Sequence, residues 1–144
     1  MGLEPPRSEI HTFKYEHEKL CSDVFVALYQ TGGLHGWGQQ RISKEIIPDR
    51  IFWLHDDLYY LEVEMGNHKE AIIKSKVEAY KRYWRETNEK FQVRFITNNN
   101  KTFAMLSKIL EDEPYHYQAY TLDNLQKAVK SHSITSSNRE ESES

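Results

Sequence analysis

Apolar residues recur along this chain at two periods, and the switches between them mark the elements. From Phe13 to Gln30, residues Leu20, Val24, Ala27 and Leu28 fall on one helical face. Thr31-Gly32-Gly33 ends that helix. Trp37 to Ile42 predicts a short strand. Ile46 to His55 and Leu58 to Met65 are stronger strands, and Asp56-Asp57 between them predicts a tight hairpin turn. Asn67 is the expected N-cap of a helix over His68 to Glu86. Its residues Ile73, Val77, Tyr80 and Trp84 make one apolar stripe. Phe91 to Thr97 is a strand with Phe91, Val93 and Phe95 on one side, and Asn98-Asn99-Asn100 is a loop. A helix over Lys101 to Leu110, a strand over Tyr115 to Tyr120 and a helix capped by Thr121 and running through Val129 complete the chain. There is no internal repeat. The order is helix, three strands, helix, strand, helix, strand, helix, which predicts an α/β fold. The helix between Leu58–Met65 and Phe91–Thr97 lets those strands lie parallel and adjacent, with a right-handed crossover.

At 144 residues, one domain is expected, over 14–131, after a leader or linker over 1–13. Residues 132–144, rich in Ser and ending in Glu140, Glu141 and Glu143, are expected to be a disordered acidic tail. The net charge of −3 means that any nucleic-acid contact must come from a local patch. Cys21 is the sole cysteine, which excludes an internal disulfide and a Cys-rich zinc site and fits a reducing, cytoplasmic setting. No apolar run approaches the roughly 18 residues of a membrane-spanning helix, and Met1 to Arg7 lacks the apolar segment of a signal peptide. The expectation is a cytoplasmic protein with no membrane contact.

Three acids stand out against this pattern. Asp49 lies in Ile46-Ile47-Pro48-Asp49-Arg50-Ile51-Phe52-Trp53, and Glu62 and Glu64 lie in Leu58-Tyr59-Tyr60-Leu61-Glu62-Val63-Glu64. An ionised carboxylate in an apolar, strand-forming run is costly unless something pairs with it. Carboxylates converging from neighbouring strands repel one another, and a bound Mg²⁺ or Mn²⁺ relieves that. Such hard cations take oxygen ligands, commonly one or two carboxylates plus substrate phosphates. One reading of Asp49, Glu62 and Glu64 is therefore a metal site for phosphodiester chemistry. The other is a turn cap at Asp49 with two solvent-facing glutamates on an edge strand.

The order of elements, with Pro48-Asp49 opening one strand and Glu62-Val63-Glu64 in the next, resembles the PD-(D/E)xK nuclease superfamily. The resemblance implies a core of helix, three-strand meander, helix and strand, with Asp49 and Glu62 as metal-binding acids. Its consensus lysine would fall at position 64, where this chain has Glu64; some restriction endonucleases of the superfamily also carry glutamate there. Lys76 on the following helix could replace it, and Glu16, Glu18 or Asp23 could supply the first-helix acid that many members use. More closely, the chain resembles the replication-relaxation family of plasmid and phage proteins. The resemblance is carried by His17, Asp23-Val24-Phe25-Val26-Ala27-Leu28, Trp37, Pro48-Asp49, Leu61-Glu62-Val63-Glu64, Lys76-Val77-Glu78-Ala79-Tyr80 and Phe95-Ile96-Thr97, over positions 14 to 110. It implies a DNA-associated role in replication or maintenance, either as a catalytically degenerate domain or as an active metal-dependent endonuclease. Family members usually begin with a winged-helix DNA reader. Too few residues precede His17 to form one, so the chain is read as an excerpt or as a module whose specificity comes from a protein partner.

Other residues carry weaker chemical signals. Lys69, Lys74, Lys81, Arg82 and Arg85 make the helix after the acids locally basic and could touch DNA phosphates. Interleaved Glu70, Glu78 and Glu86 equally fit ordinary i,i+4 pairing on a solvated face. His17, beside Glu16 and Glu18, is a catalytic residue, a ligand or a structural histidine. Gly32-Gly33-Leu34-His35-Gly36 lacks the lysine and context of a phosphate loop. Trp37, Trp53, Trp84 and nine tyrosines belong mainly to the core, with some available to an interface such as a homodimer's.

Overall fold

A computed structural model describes residues 7–131. The elements run α1 (Arg7–Tyr29), β1 (Leu34–Gly38), β2 (Arg50–Leu54), β3 (Asp57–Val63), α2 (Glu70–Thr87), β4 (Gln92–Thr97), α3 (Asn100–Leu110), β5 (Tyr117–Thr121) and α4 (Leu122–Lys130). One mixed sheet has the order β1-β2-β3-β4-β5. β1 and β3 are antiparallel to β2, while β3, β4 and β5 run parallel. The α2 connection between parallel β3 and β4 is the arrangement the sequence predicts. No helix among the described residues is long and apolar enough to cross a membrane.

Period-two alternation divides the sheet between two cores. Phe52, Leu54, Tyr59, Leu61, Val63 and Ile96 face α1 and α4, packing on Leu20, Val24, Leu28, Leu125 and Val129. Tyr60, Val93 and Phe95 face α2 and α3, packing on Ile73, Val77, Tyr80, Leu106 and Leu110. The stripe Ile73, Val77 and Tyr80 is buried as its spacing requires.

Several boundaries differ from the sequence reading, each for a local reason. α1 starts at Arg7, so the expected leader is helical from there; Arg7 to Thr12 holds no Gly or Pro to stop it. The acidic tail expected over 132–144 lies outside the described residues. The first strand is Leu34–Gly38, not Trp37 to Ile42. Its pairing with β2 shifts between His35 and Gly38, where Gly36 has φ +67°, and such a bulge breaks the alternation that marks a strand. Leu54 pairs with Asp57, so the hairpin loop is His55-Asp56, with His55 at φ +56°. α2 begins at Glu70 behind Lys69, which makes no side-chain cap; Asn67 stands outside it. Thr121 does cap the last helix, its hydroxyl accepting from the Asn124 amide at 3.0 Å.

The two-core arrangement makes Phe95, which is fully buried between β4 and α2, a sensitive position. Phe95→Ala is expected to cost about 3–5 kcal/mol, read as a lower midpoint in urea with the slope unchanged.

Candidate functional site

β2 is antiparallel to β3, so the start of β2 and the end of β3 meet at one end of the sheet. The chain enters β2 through buried Pro48, which leaves Asp49 at that end. The Asp49 amide donates to the Leu61 carbonyl at 2.9 Å, and its Oδ2 accepts from the Val63 amide at 2.7 Å. These two bonds flank Glu62 and set Asp49 across from it. Asp49 Oδ1 lies 3.1 Å from His17 Nε2 on α1. Beside it, Arg50 pairs with Glu18.

Glu62 near the end of β3 and Glu64 just past it, two residues apart, point together toward α2. Both are buried, Glu62 at 4% exposure and Glu64 at 0%. Lys76 reaches down from α2 between them, with Nζ 3.3 Å from Glu62 Oε1 and 2.8 Å from Glu64 Oε2. The Tyr80 hydroxyl, one turn further along α2, donates to Glu62 Oε2 at 2.6 Å. His68 Nδ1 lies 2.7 Å from Glu64 Oε1. Every oxygen of the three carboxylates thus has a partner within the protein.

The electrostatics follow from burial. Loss of water pushes the Glu62 carboxyl up to about 7. Lys76 and the Tyr80 hydroxyl work against that rise, and the charge of Asp49 adds to it. Burial also works to lower the Lys76 ammonium, but the charges of Glu62 and Glu64 and their hydrogen bonds outweigh it, so Lys76 sits above its ordinary value. Tyr80 is pushed well up by burial and by Glu62, and stays a hydrogen-bond donor.

The structure therefore brings the sequence-predicted acids and Lys76 to one place, but in two parts. Lys76 joins Glu62 and Glu64 on the α2 side, while Asp49 is held from the α1 side by His17. Among the described residues, no three His, Cys, Asp or Glu side chains gather so as to hold a metal by themselves. Of the first-helix acids considered, Glu18 is turned to Arg50 and Asp23 to Lys19. The predicted basic face is largely paired: Lys74 with Glu70, Lys81 with Glu78 and Glu113, and Arg82 with Glu45. Lys69 and Arg85 form no ion pair with a described residue. On the same end of the sheet, beyond β4 and β5, a cleft of about 320 Å³ of mixed lining lies between Asn98, Asn100 and Phe103 on one side and Thr121, Leu122, Asp123 and Asn124 on the other.

No protein-family model, curated protein or solved structure matches the chain.

Two residues of the cluster carry little sequence signal. Tyr80 belongs to the apolar stripe, and only its hydroxyl marks a second role. His68 is signalled solely by standing four residues after Glu64.

The raised Glu62 gives a pH dependence of defined sign. An acid whose folded value exceeds its unfolded value favours the folded state below the unfolded value, near 4.5, and that contribution is lost as pH rises through about 7. Glu62→Gln should therefore remove a downward slope in the thermal midpoint between about pH 5 and 7. Parallel melts across pH 5–8 check this; identical slopes in both proteins would show that Glu62 does not titrate there.

Proposed function

We propose that this chain is a nuclease-like domain that works on DNA, in the plasmid or phage replication or maintenance role that its motif order resembles. One observation carries the reading. Lys76 brings a basic group to within 3.3 Å of Glu62 and 2.8 Å of Glu64, at the end of the sheet that also holds Asp49. A nuclease site of this kind needs a cation beside its acids, and the strand that would supply it carries Glu64 instead. The helix makes good the loss.

The donor set suits a hard cation in part. Asp49 and Glu62 stand across from each other at the start of β2 and the end of β3, and Mg²⁺ or Mn²⁺ needs only one or two carboxylates, the rest of its shell being water and phosphate oxygens. Such an ion, when bound, neutralises phosphate charge and lowers the pKa of its water. Asp49 and Glu62 would hold it; Glu64 is engaged by Lys76 and His68 and stays outside that set. Lys76 holds positive charge where negative charge grows on a phosphoryl oxygen. Tyr80 fixes the orientation of Glu62, and His17 that of Asp49.

A second reading is favoured by the completeness of the network. All six carboxylate oxygens already have partners, so the cluster is equally a closed structural knot, and the domain then associates with DNA or a protein partner without cutting. Incubation of supercoiled and linear DNA with Mn²⁺ or Mg²⁺ separates the two. The nuclease reading expects cleavage that Asp49→Asn abolishes. Asparagine keeps the acceptor for the Val63 amide, so the circular dichroism spectrum stays unchanged; alanine would strand that amide at a cost of about 1–3 kcal/mol. Intact DNA at every metal concentration leaves the associating reading.

DNA binding by the chain should be weak and salt-dependent in either case, since the net charge is −3 and the basic face is mostly paired. Phosphate contacts position a protein without reading sequence. Neutralising Lys81, Arg82 and Arg85 together should weaken binding alike on unrelated duplexes and flatten the salt slope. Electrophoretic shifts showing tight, sequence-selective binding at physiological salt would contradict this.

A further inference from the structure

Glu64 and His68 are absorbed neither by the core nor by the acid pair across β2 and β3. Glu64 is fully buried. Its two oxygens face different donors, Lys76 Nζ at 2.8 Å and His68 Nδ1 at 2.7 Å. An ionised carboxylate only accepts hydrogen bonds. Lys76 therefore donates to Oε2, and for His68 to bond Oε1 its Nδ1 must carry a proton and donate it. The ammonium and Nδ1 lie 3.5 Å apart, two donors turned to the same acid. His68 sits in the segment between β3 and α2, two residues before the helix begins.

We propose that Glu64 and His68 are positioning residues, which fix the Lys76 ammonium against Glu62 from the far side of the cluster. This rests on the assignment of Lys76 as the basic group of the site, but not on whether DNA is cut. A long lysine side chain has many rotamers, and holding its end in one place needs more than one contact. Glu62 gives one contact and Glu64 the second. His68 occupies the other oxygen of Glu64 and so keeps that carboxylate from turning away.

Nitrogen-15 NMR of the labelled chain tests the arrangement directly, with no ligand added. Free neutral histidine favours the proton on Nε2, so a proton held on His68 Nδ1 is a distinctive signature. The expected result is that Nδ1 proton on His68, together with a Lys76 ammonium signal sharp enough to observe because its protons exchange slowly. Glu64→Gln should return His68 toward the Nε2–H form and broaden the Lys76 signal. His68→Ala, at a partly exposed position that need not disturb folding, should speed Lys76 proton exchange about tenfold or more, equivalent to about 1.4 kcal/mol. An Nε2–H tautomer in the unaltered chain overturns the proposal, as does a Lys76 signal unchanged in both variants. In a cleavage assay, a positioning role lowers kcat with little change in KM. If the NMR signature is present and no DNA is cut, the positioning stands and the nuclease reading fails.

Discussion

One ammonium between two buried carboxylates organises this molecule. Glu62 lies in, and Glu64 directly follows, a strand whose residues from Leu58 on are packed on both faces. Two bare charges at that depth would be prohibitive. Lys76 can reach both only if α2 crosses this end of β3 in one rotational setting. That setting also turns Ile73, Val77 and Tyr80 into the core. The polar and apolar demands on α2 therefore agree: residue 76 precedes a stripe position, and its long side chain runs along the edge of the stripe to the strand below.

This coupling explains why the sequence was legible where it was. The α2 stripe and the alternation in Phe91, Val93 and Phe95 each repeat one period long enough to be read, and both are buried as predicted apart from half-buried Trp84. β3 is instead the middle strand, and buried Glu62 and Glu64 overturn the reading of solvent-facing glutamates on an edge strand. Legibility fails where a single residue changes the backbone. Gly36 inserts a bulge that hides β1, and His55 moves the hairpin turn back by one residue. Arg94 shows a different limit. It lies between Val93 and Phe95, where alternation expects a solvent-facing polar residue, yet that face of the sheet is covered and Arg94 is buried. It is buried by bonding to the Val93 and His116 carbonyls and to Gln92 Oε1, and its guanidinium stands 5.2 Å from the centre of the Tyr59 ring.

The site was half visible. Charge inside apolar strands pointed to Asp49, Glu62 and Glu64 because burying charge requires a partner, but chemistry alone did not say which partner. The partner of Glu62 and Glu64 is a lysine from the next helix, and that of Asp49 is His17 from α1, thirty-two residues earlier in the chain. Both meetings are made by the fold rather than by spacing. Sequence groups Glu64 with the metal-binding acids, whereas its contacts set it with Lys76 and His68. The i,i+4 spacing from Glu64 to His68 is the one sequence signal of that contact, and it is a weak one because both residues precede α2, where helical spacing does not apply.

Lys76 can organise this end of the molecule only if it is energetically coupled to the acids it touches, and a double-mutant cycle measures that coupling. Lys76→Met, Glu64→Gln and the double variant are unfolded in denaturant at neutral pH. Lys76→Met alone should cost about 3–5 kcal/mol, because it leaves buried carboxylates without their cation. Adding Glu64→Gln should recover part of that loss, making the pair non-additive by at least about 1 kcal/mol. Additivity within about 0.5 kcal/mol would mean that Lys76 is a solvated surface lysine, and the organising role given to it would be wrong.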